Sequence, residues 1–239
     1  MSGKKKSPPV DPPRVVSIGE PVADWVGVTP ELVGVKAYNL LRMAIVGLPV
    51  PPAFVLSTSV CREFLGKESM DRTMVEQIKA NMRQLESRTQ KGFGGTRRPL
   101  LVSVRSGAPV SMPGMLDTIL NVGLNGQTVE GVIRMTGNPR LAWDSYRRLI
   151  QSFAEVVHGS GMQTFNTILA EHMALAHVED SRELDALSMR AVCHDLLDVY
   201  HTATGRRFPP GSHDPADRGC GGGVPLMAQP AGPGVPADA

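Results

Sequence analysis

Residues Pro99 to Asn125 read PLLVSVRSGAPVSMPGMLDTILNVGLN, and the character of the stretch changes at Arg105. Leu100 to Val104 is a short apolar run of strand type. Arg105 to Leu116 carries two prolines and two glycines, which argues against a regular element there. The expectation is a strand that delivers Arg105 to the edge of a sheet, followed at once by a loop with Ser106, Gly107, Ser111 and Gly114. Glycines let backbone N–H groups approach an anion closely, and arginine supplies a planar, permanently charged fork of donors. This chemistry suits phosphate. A turn carrying a surface arginine is the equally open alternative.

A second anion-friendly stretch lies upstream at Val33-Gly34-Val35-Lys36-Ala37-Tyr38-Asn39-Leu40. Gly34 precedes a helix whose apolar residues Leu40, Leu41, Ala44 and Ile45 keep helical spacing. Its free N–H groups and dipole favour an anion at the start, and Lys36 adds a point charge. The spacing is not that of a Walker A loop, and a solvated lysine is the plainer reading. Gly47 stands where a left-handed C-terminal cap belongs, with Pro49 beyond it.

Further out, Val15, Val16 and Ile18 suit a short strand, as do Phe54, Val55 and Leu56. Ser57 or Thr58 suits the cap of a short helix carrying Cys61 and Phe64. Thr73 and Glu76 have capping-box spacing for a helix over 73–88, and residues 88–98 form a basic, Gly-rich loop. Helices follow at 128–136, from Asn138-Pro139 onward, at 162–176 and at 182–203. The mixed order gives an α+β or α/β domain over 26–210. Residues 1–25 read as a tail or leading strand. Beyond Pro210 glycine and proline dominate, and 211–239 is expected to be disordered.

With 239 residues, 41% hydrophobic and a net charge of +2, the chain affords a core and gives no reason to expect nucleic acid or an anionic membrane as partner. No run of about 18 apolar residues is present. The three cysteines, Cys61, Cys193 and Cys220, form neither a CxxC pair nor an even set. A cytoplasmic, reducing location fits them, and neither a disulfide framework nor a structural zinc site does. His194 and His201 are read as surface histidines, not as a metal pair.

Together these stretches resemble the pyruvate, phosphate dikinases. The resemblance rests on Gly34-Val35-Lys36-Ala37, on Gly47-Leu48-Pro49-Val50-Pro51-Pro52-Ala53-Phe54, on Leu100 to Ala108, on Ser111 to Met115 and on Asp117-Thr118. It continues through Thr136-Gly137-Asn138-Pro139, Asp144-Ser145-Tyr146-Arg147-Arg148 and the Gly205-to-Pro209 piece, so it covers about residues 28–210. It implies the N-terminal portion of an ATP-grasp-like nucleotide-binding domain that takes ATP with Mg2+ and phosphorylates a histidine on a separate domain. A further domain passes that phosphoryl group to pyruvate, giving phosphoenolpyruvate. By the same resemblance Lys36 and Arg105 contact the phosphates, Arg105 being the residue nearest the chemistry, and Ser111, Met112, Gly114 and Met115 form the loop over them. Asp117, Asp144, Arg147 and Arg148 have no assigned role, and a solvated or salt-bridged one suits the two arginines.

The chain departs from the family pattern at Val35, Ala37 and Ala53, which stand where the family has glycines, and at Pro109, where a basic residue is usual. The carboxylates that hold magnesium, the phosphohistidine domain and the pyruvate-binding domain are expected to lie outside this chain. Turnover by the chain alone is therefore not expected. The alternative is a non-catalytic interaction module that associates with a full-length relative.

Overall fold

The computed structural model describes residues 13–19, 27–64, 70–106, 118–158, 162–208 and 226–230. They form an α+β fold in which a five-stranded antiparallel sheet is flanked by helices. The strands are β1 (Val15–Ile18), β2 (Ala53–Leu56), β3 (Val102–Ser106), β4 (Thr118–Val122) and β5 (Leu226–Pro230). Their order across the sheet is β1-β2-β5-β3-β4. The helices are α1 (Pro30–Val33), α2 (Val35–Ile45), α3 (Thr58–Phe64), α4 (Arg72–Thr89), α5 (Thr128–Thr136), α6 (Pro139–His158), α7 (Met162–Leu175) and α8 (Ala186–Thr204).

Strand alternation sorts the apolar side chains between the two faces of the sheet. Val16, Ile18, Ala53 and Val55 pack with Val33, Ala37 and Leu41 of α1 and α2. On the other face Phe54, Leu56 and Val102 meet Val60 of α3 and Met74 and Leu85 of α4. A third cluster is mostly helical, with Trp143, Tyr146, Leu149 and Ile150 of α6 against Met189, Val192, Cys193 and Leu196 of α8. Phe208 closes it, edge-on to Tyr146, Phe153 and Tyr200 with centroids 6.2, 5.2 and 5.2 Å apart.

Helix ends follow from local chemistry. Gly47 has φ +82, and its N–H reaches Ala44 O while Leu48 N–H reaches Met43 O. These are the paired bonds of a Schellman ending. Asn138 Oδ1 accepts from Leu141 N at 2.9 Å and caps α6 as its sequence predicts. The start of α4 corrects the expected Thr73–Glu76 box. Asp71 is the cap, its carboxylate accepting from Met74 N at 2.7 Å, and a carboxylate is the stronger acceptor for free helix N–H groups. Likewise Asp185 caps α8 by accepting from Ser188 N, so α8 starts later than the predicted 182, after a 3-10 turn at Ser181–Glu183.

Three strand expectations need correction. β3 runs through Arg105 and Ser106 instead of stopping at Val104, and it lies inside the sheet between β4 and β5. β4 was not anticipated. Finally, Leu226–Pro230, inside the segment expected to be disordered, is a strand paired with β2 and β3. The rest of 211–239 lies outside the described residues.

Cys193 illustrates the density of the helical core. It is buried, and its thiol donates to Trp143 O at 3.2 Å. Burial pushes the thiol up from an ordinary value of 9.0 to about 12, with Arg147 opposing the rise and Asp144 adding to it. The unfolded thiol therefore releases its proton first as pH rises, and this group's stabilisation, complete below pH 9.0, is lost on the way to about 12. Urea midpoints across that range are expected to fall less steeply for Cys193→Ser, by up to ~1.4 kcal/mol per pH unit. Tyr146, raised by burial and by Cys193, titrates in both proteins, so equal slopes would discard the Cys193 contribution.

Candidate functional site

The two stretches singled out for anion chemistry meet on one face of the sheet. Val102 and Val104 belong with the cluster under α3 and α4. Alternation therefore turns Arg105 to the opposite face, the one covered by α2. Lys36 sits in the first turn of α2. Its amino group is held below the ordinary lysine value, first by partial desolvation and second by the positive charge of Arg105. Two cations thus share one neighbourhood, and the arginine's charge disfavours the charged form of the lysine.

Arg105 is half-buried. Its Nε is shielded from solvent and has no hydrogen-bond partner among the described residues. A buried, unmet guanidinium donor costs free energy unless an acceptor reaches it. An anion bound here would supply that acceptor and relieve the Lys36–Arg105 repulsion at once. The backbone adds to the field. Gly34 is the N-cap of α2 with φ +83 and ψ +151, a conformation essentially restricted to glycine. From it the helix presents its first N–H groups and positive end.

The family glycines replaced here by Val35 and Ala37 are not needed for positive φ in this backbone. Both residues are regular helix, and Ala37 is buried in the core under α2. Ala53 is likewise an ordinary buried strand residue, opposite Ile18.

Thr118 emerges as a neighbour that sequence reasoning left unassigned. The strand register places it directly across from Arg105 on β4, so its hydroxyl-bearing side chain shares Arg105's face. The signal was present in the Asp117-Thr118 pair, but only the pairing of β3 with β4 shows which residue it accompanies. Ser111, Met112, Gly114 and Met115, together with Asp117, lie outside the described residues. Of the expected site, then, the fold brings together Lys36 and Arg105.

Arg147 and Arg148 are accounted for elsewhere. Arg147 donates from Nε and Nη2 to Asp144 Oδ1 at 2.9 and 2.6 Å and from Nη1 to Gln151 Oε1. Arg148 Nε reaches Asp144 Oδ2 at 3.1 Å. His194 packs against the Trp143 ring with centroids 6.4 Å apart. Among the described residues no group of three or more His, Cys, Asp or Glu is placed to hold a metal ion. No described helix is long and apolar enough to cross a membrane.

Known proteins include relatives of this chain. Residues 30–93 match the family described as pyruvate phosphate dikinase, AMP/ATP-binding domain. The chain is 38% identical over 187 residues to pyruvate, phosphate dikinase of Entamoeba histolytica, covering 78% of this chain and 21% of that protein. Against the Rhizobium meliloti enzyme it is 41% identical over 177 residues, with 74% and 20% covered. Against that of Clostridium symbiosum it is 41% identical over 180 residues, with 74% and 21% covered. The chain thus spans about a fifth of the length of these relatives. By motif, by matched domain and by identity across most of its length, the chain is similar to one part of the pyruvate, phosphate dikinases, a part that includes their AMP/ATP-binding domain.

Proposed function

We propose that this chain is the nucleotide-binding part of an ATP-grasp-like phosphotransferase of the pyruvate, phosphate dikinase type, and that Lys36 and Arg105 hold the phosphates of ATP. The observation that carries this reading is the convergence of the two cations, with an Arg105 Nε that is buried and has no hydrogen-bond partner among the described residues. In this reading Arg105 places a fixed fork against the transferring phosphoryl group, and Lys36 neutralises part of its charge. Such positioning and charge stabilisation are the protein's main contributions to phosphoryl transfer. The hydroxyl of Thr118 adds a donor beside Arg105. By resemblance to the family, Ser111, Met112, Gly114 and Met115 are assigned to phosphate binding as well. The complete reaction, from ATP through a phosphohistidine on another domain to phosphoenolpyruvate, needs parts that the far longer relatives contain. Magnesium, when bound, would neutralise phosphate charge, held by carboxylates that the resemblance puts outside this chain.

Calorimetric titration of the full chain with MgATP tests this. Arg105→Ala is expected to weaken binding at least about tenfold, the scale of one charged hydrogen bond, and Lys36→Ala to weaken it as well. Identical heats for wild type and Arg105→Ala would remove the nucleotide claim. Lys36 provides a second readout. Its pKa is expected to rise in Arg105→Ala and also on binding nucleotide, since either change removes the unbalanced positive charge beside it. Acylation rates of Lys36 against pH measure this directly.

A second reading, a non-catalytic module that associates with a full-length dikinase, is favoured by one observation. β5 completes the sheet from within the chain itself. An Arg105-independent complex with a longer dikinase chain, without measurable MgATP heats, would support that reading over the first.

A further inference from the structure

The sheet has a slot at its centre. β2 and β3 are not paired with each other, and β5 lies between them and pairs with both. Each wall of the slot also has partners other than β5 among the described residues. Phe54 and Val55 of β2 and Val102 of β3 are buried among residues of β1, α1, α2, α3 and α4. β5 itself is short, and its two ladders are unequal. Five registered pairs join it to β3, from Val102↔Pro230 to Ser106↔Leu226. Only Phe54↔Ala228 and Val55↔Met227 join it to β2.

We propose that this slot is a docking site for an extended peptide strand and that its exchangeable occupant is Leu226–Pro230 of a second copy of the chain. Three features carry this. First, the strand's recognition is main-chain hydrogen bonding along two open edges, the mode by which sheets accept a strand from another molecule. The same ladders form whether the strand arrives from its own chain or from a neighbour. Second, residues 209–225 separate α8 and Phe208 from β5. That length spans up to about 60 Å when extended, enough to reach a neighbouring slot. Third, a connection of this length holds its strand at an effective concentration of only about millimolar order. Concentrated protein competes at that level, and in a reciprocal pair the second exchange is intramolecular, closing a symmetric dimer. Arg105 pairs with Met227 in the ladder, so the strand that fills the slot also fixes the backbone carrying the candidate phosphate ligand.

The test uses the full chain with Cys61→Ser and Cys220→Ser, which remove the accessible native thiol and the thiol between α8 and β5, and with Val104→Cys and Ala228→Cys at directly paired positions. Cross-strand neighbours lie within disulfide reach. The protein is unfolded in urea, refolded at about 10 µM and about 1 mM, well below and at the effective concentration of the tethered strand, oxidised with glutathione disulfide and run on non-reducing gels. A disulfide-linked dimer whose share rises several-fold with concentration is the expected result. A disulfide confined to single chains at both concentrations, or none at all, overturns the proposal. If the double-cysteine variant does not melt cooperatively, tagged and untagged wild-type chains refolded together decide instead. Recovery of untagged chain with tagged chain at the higher concentration supports exchange, and its absence overturns it. Neither readout involves nucleotide, so the outcome is independent of the Lys36–Arg105 reading.

Discussion

Asp144→Ala is expected to destabilise the protein by about 3–5 kcal/mol, the cost of stranding a buried charge. The side chains of Arg147 and Asp144 are only 8% and 13% exposed, with their closest approach at 2.6 Å. Removing the carboxylate leaves the Arg147 guanidinium inside α6 with Gln151 as its remaining partner. Removing Arg147 instead strands Asp144, which keeps only Arg148 at 3.1 Å, itself half-exposed, and a pair of that kind contributes little. The effect belongs to breaking the pair. A double variant, Asp144→Leu with Arg147→Met, is expected to recover most of the loss, because well-packed apolar residues often replace a buried ion pair at no net cost. Urea unfolding of the two single variants and the double variant measures this. A loss under about 1 kcal/mol for Asp144→Ala, the range of exposed pairs, would show that water reaches the site and that the pair does not organise α6. Because Asp144 and Arg147 also act oppositely on the Cys193 thiol, the single variants should shift the alkaline limb of stability in opposite directions.

The same DSYRR run shows how far sequence alone reaches. Sequence alone left Arg147 and Arg148 a solvated or salt-bridged role, and the i,i+3 and i,i+4 ion pairs to Asp144 settle it as salt-bridged. Helices were legible because their apolar stripes, Gly47, and Asn138-Pro139 are local signals. β4 was not. Thr118-Ile119-Leu120-Asn121-Val122 does not alternate cleanly between apolar and polar, and Asn121 leaves the strand conformation altogether at φ +59. β5 was opaque because composition around Leu226–Pro230 argues against burial, whereas its strand state depends on two edges supplied from elsewhere in the chain. The candidate site divides in the same way. Gly34, Lys36 and Arg105 were individually visible as anion-friendly residues. Their convergence was not, since it follows from the face on which β3 projects Arg105 and the face that α2 covers, and both are properties of the assembled sheet.

Gly123→Ala is the other change with a large expected effect, about 3 kcal/mol or more, combining backbone strain with a close contact. Gly123 follows β4 with φ +111, where a side chain is strained before any neighbour is considered. A Cβ there would also lie 2.7 Å from Leu100 O and 3.1 Å from the Phe93 ring. Neither neighbour is free to yield. Leu100 N donates to Gly92 O at 2.7 Å, and Phe93 N is held by Glu86 Oε1 at 2.7 Å. The Gly123 carbonyl is engaged as well, accepting from the buried Thr128 hydroxyl at 2.8 Å, which ties the turn to the start of α5. Relief by moving Leu100 would displace the lead-in to β3 and with it Arg105. The variant is therefore expected to lose nucleotide affinity along with stability, even though Gly123 touches neither Lys36 nor Arg105. Gly126→Ala is the matched control. Its Cβ would meet nothing within 4 Å, so its stability should stay within about 0.5 kcal/mol of wild type. Thermal unfolding and MgATP titration of both variants separate the cases. Equal behaviour of Gly123→Ala and Gly126→Ala would mean that the β4–α5 turn accommodates a side chain and does not fix the approach to β3. A loss confined to Gly123→Ala, in stability and affinity together, ties the phosphate ligand to a backbone position outside the site.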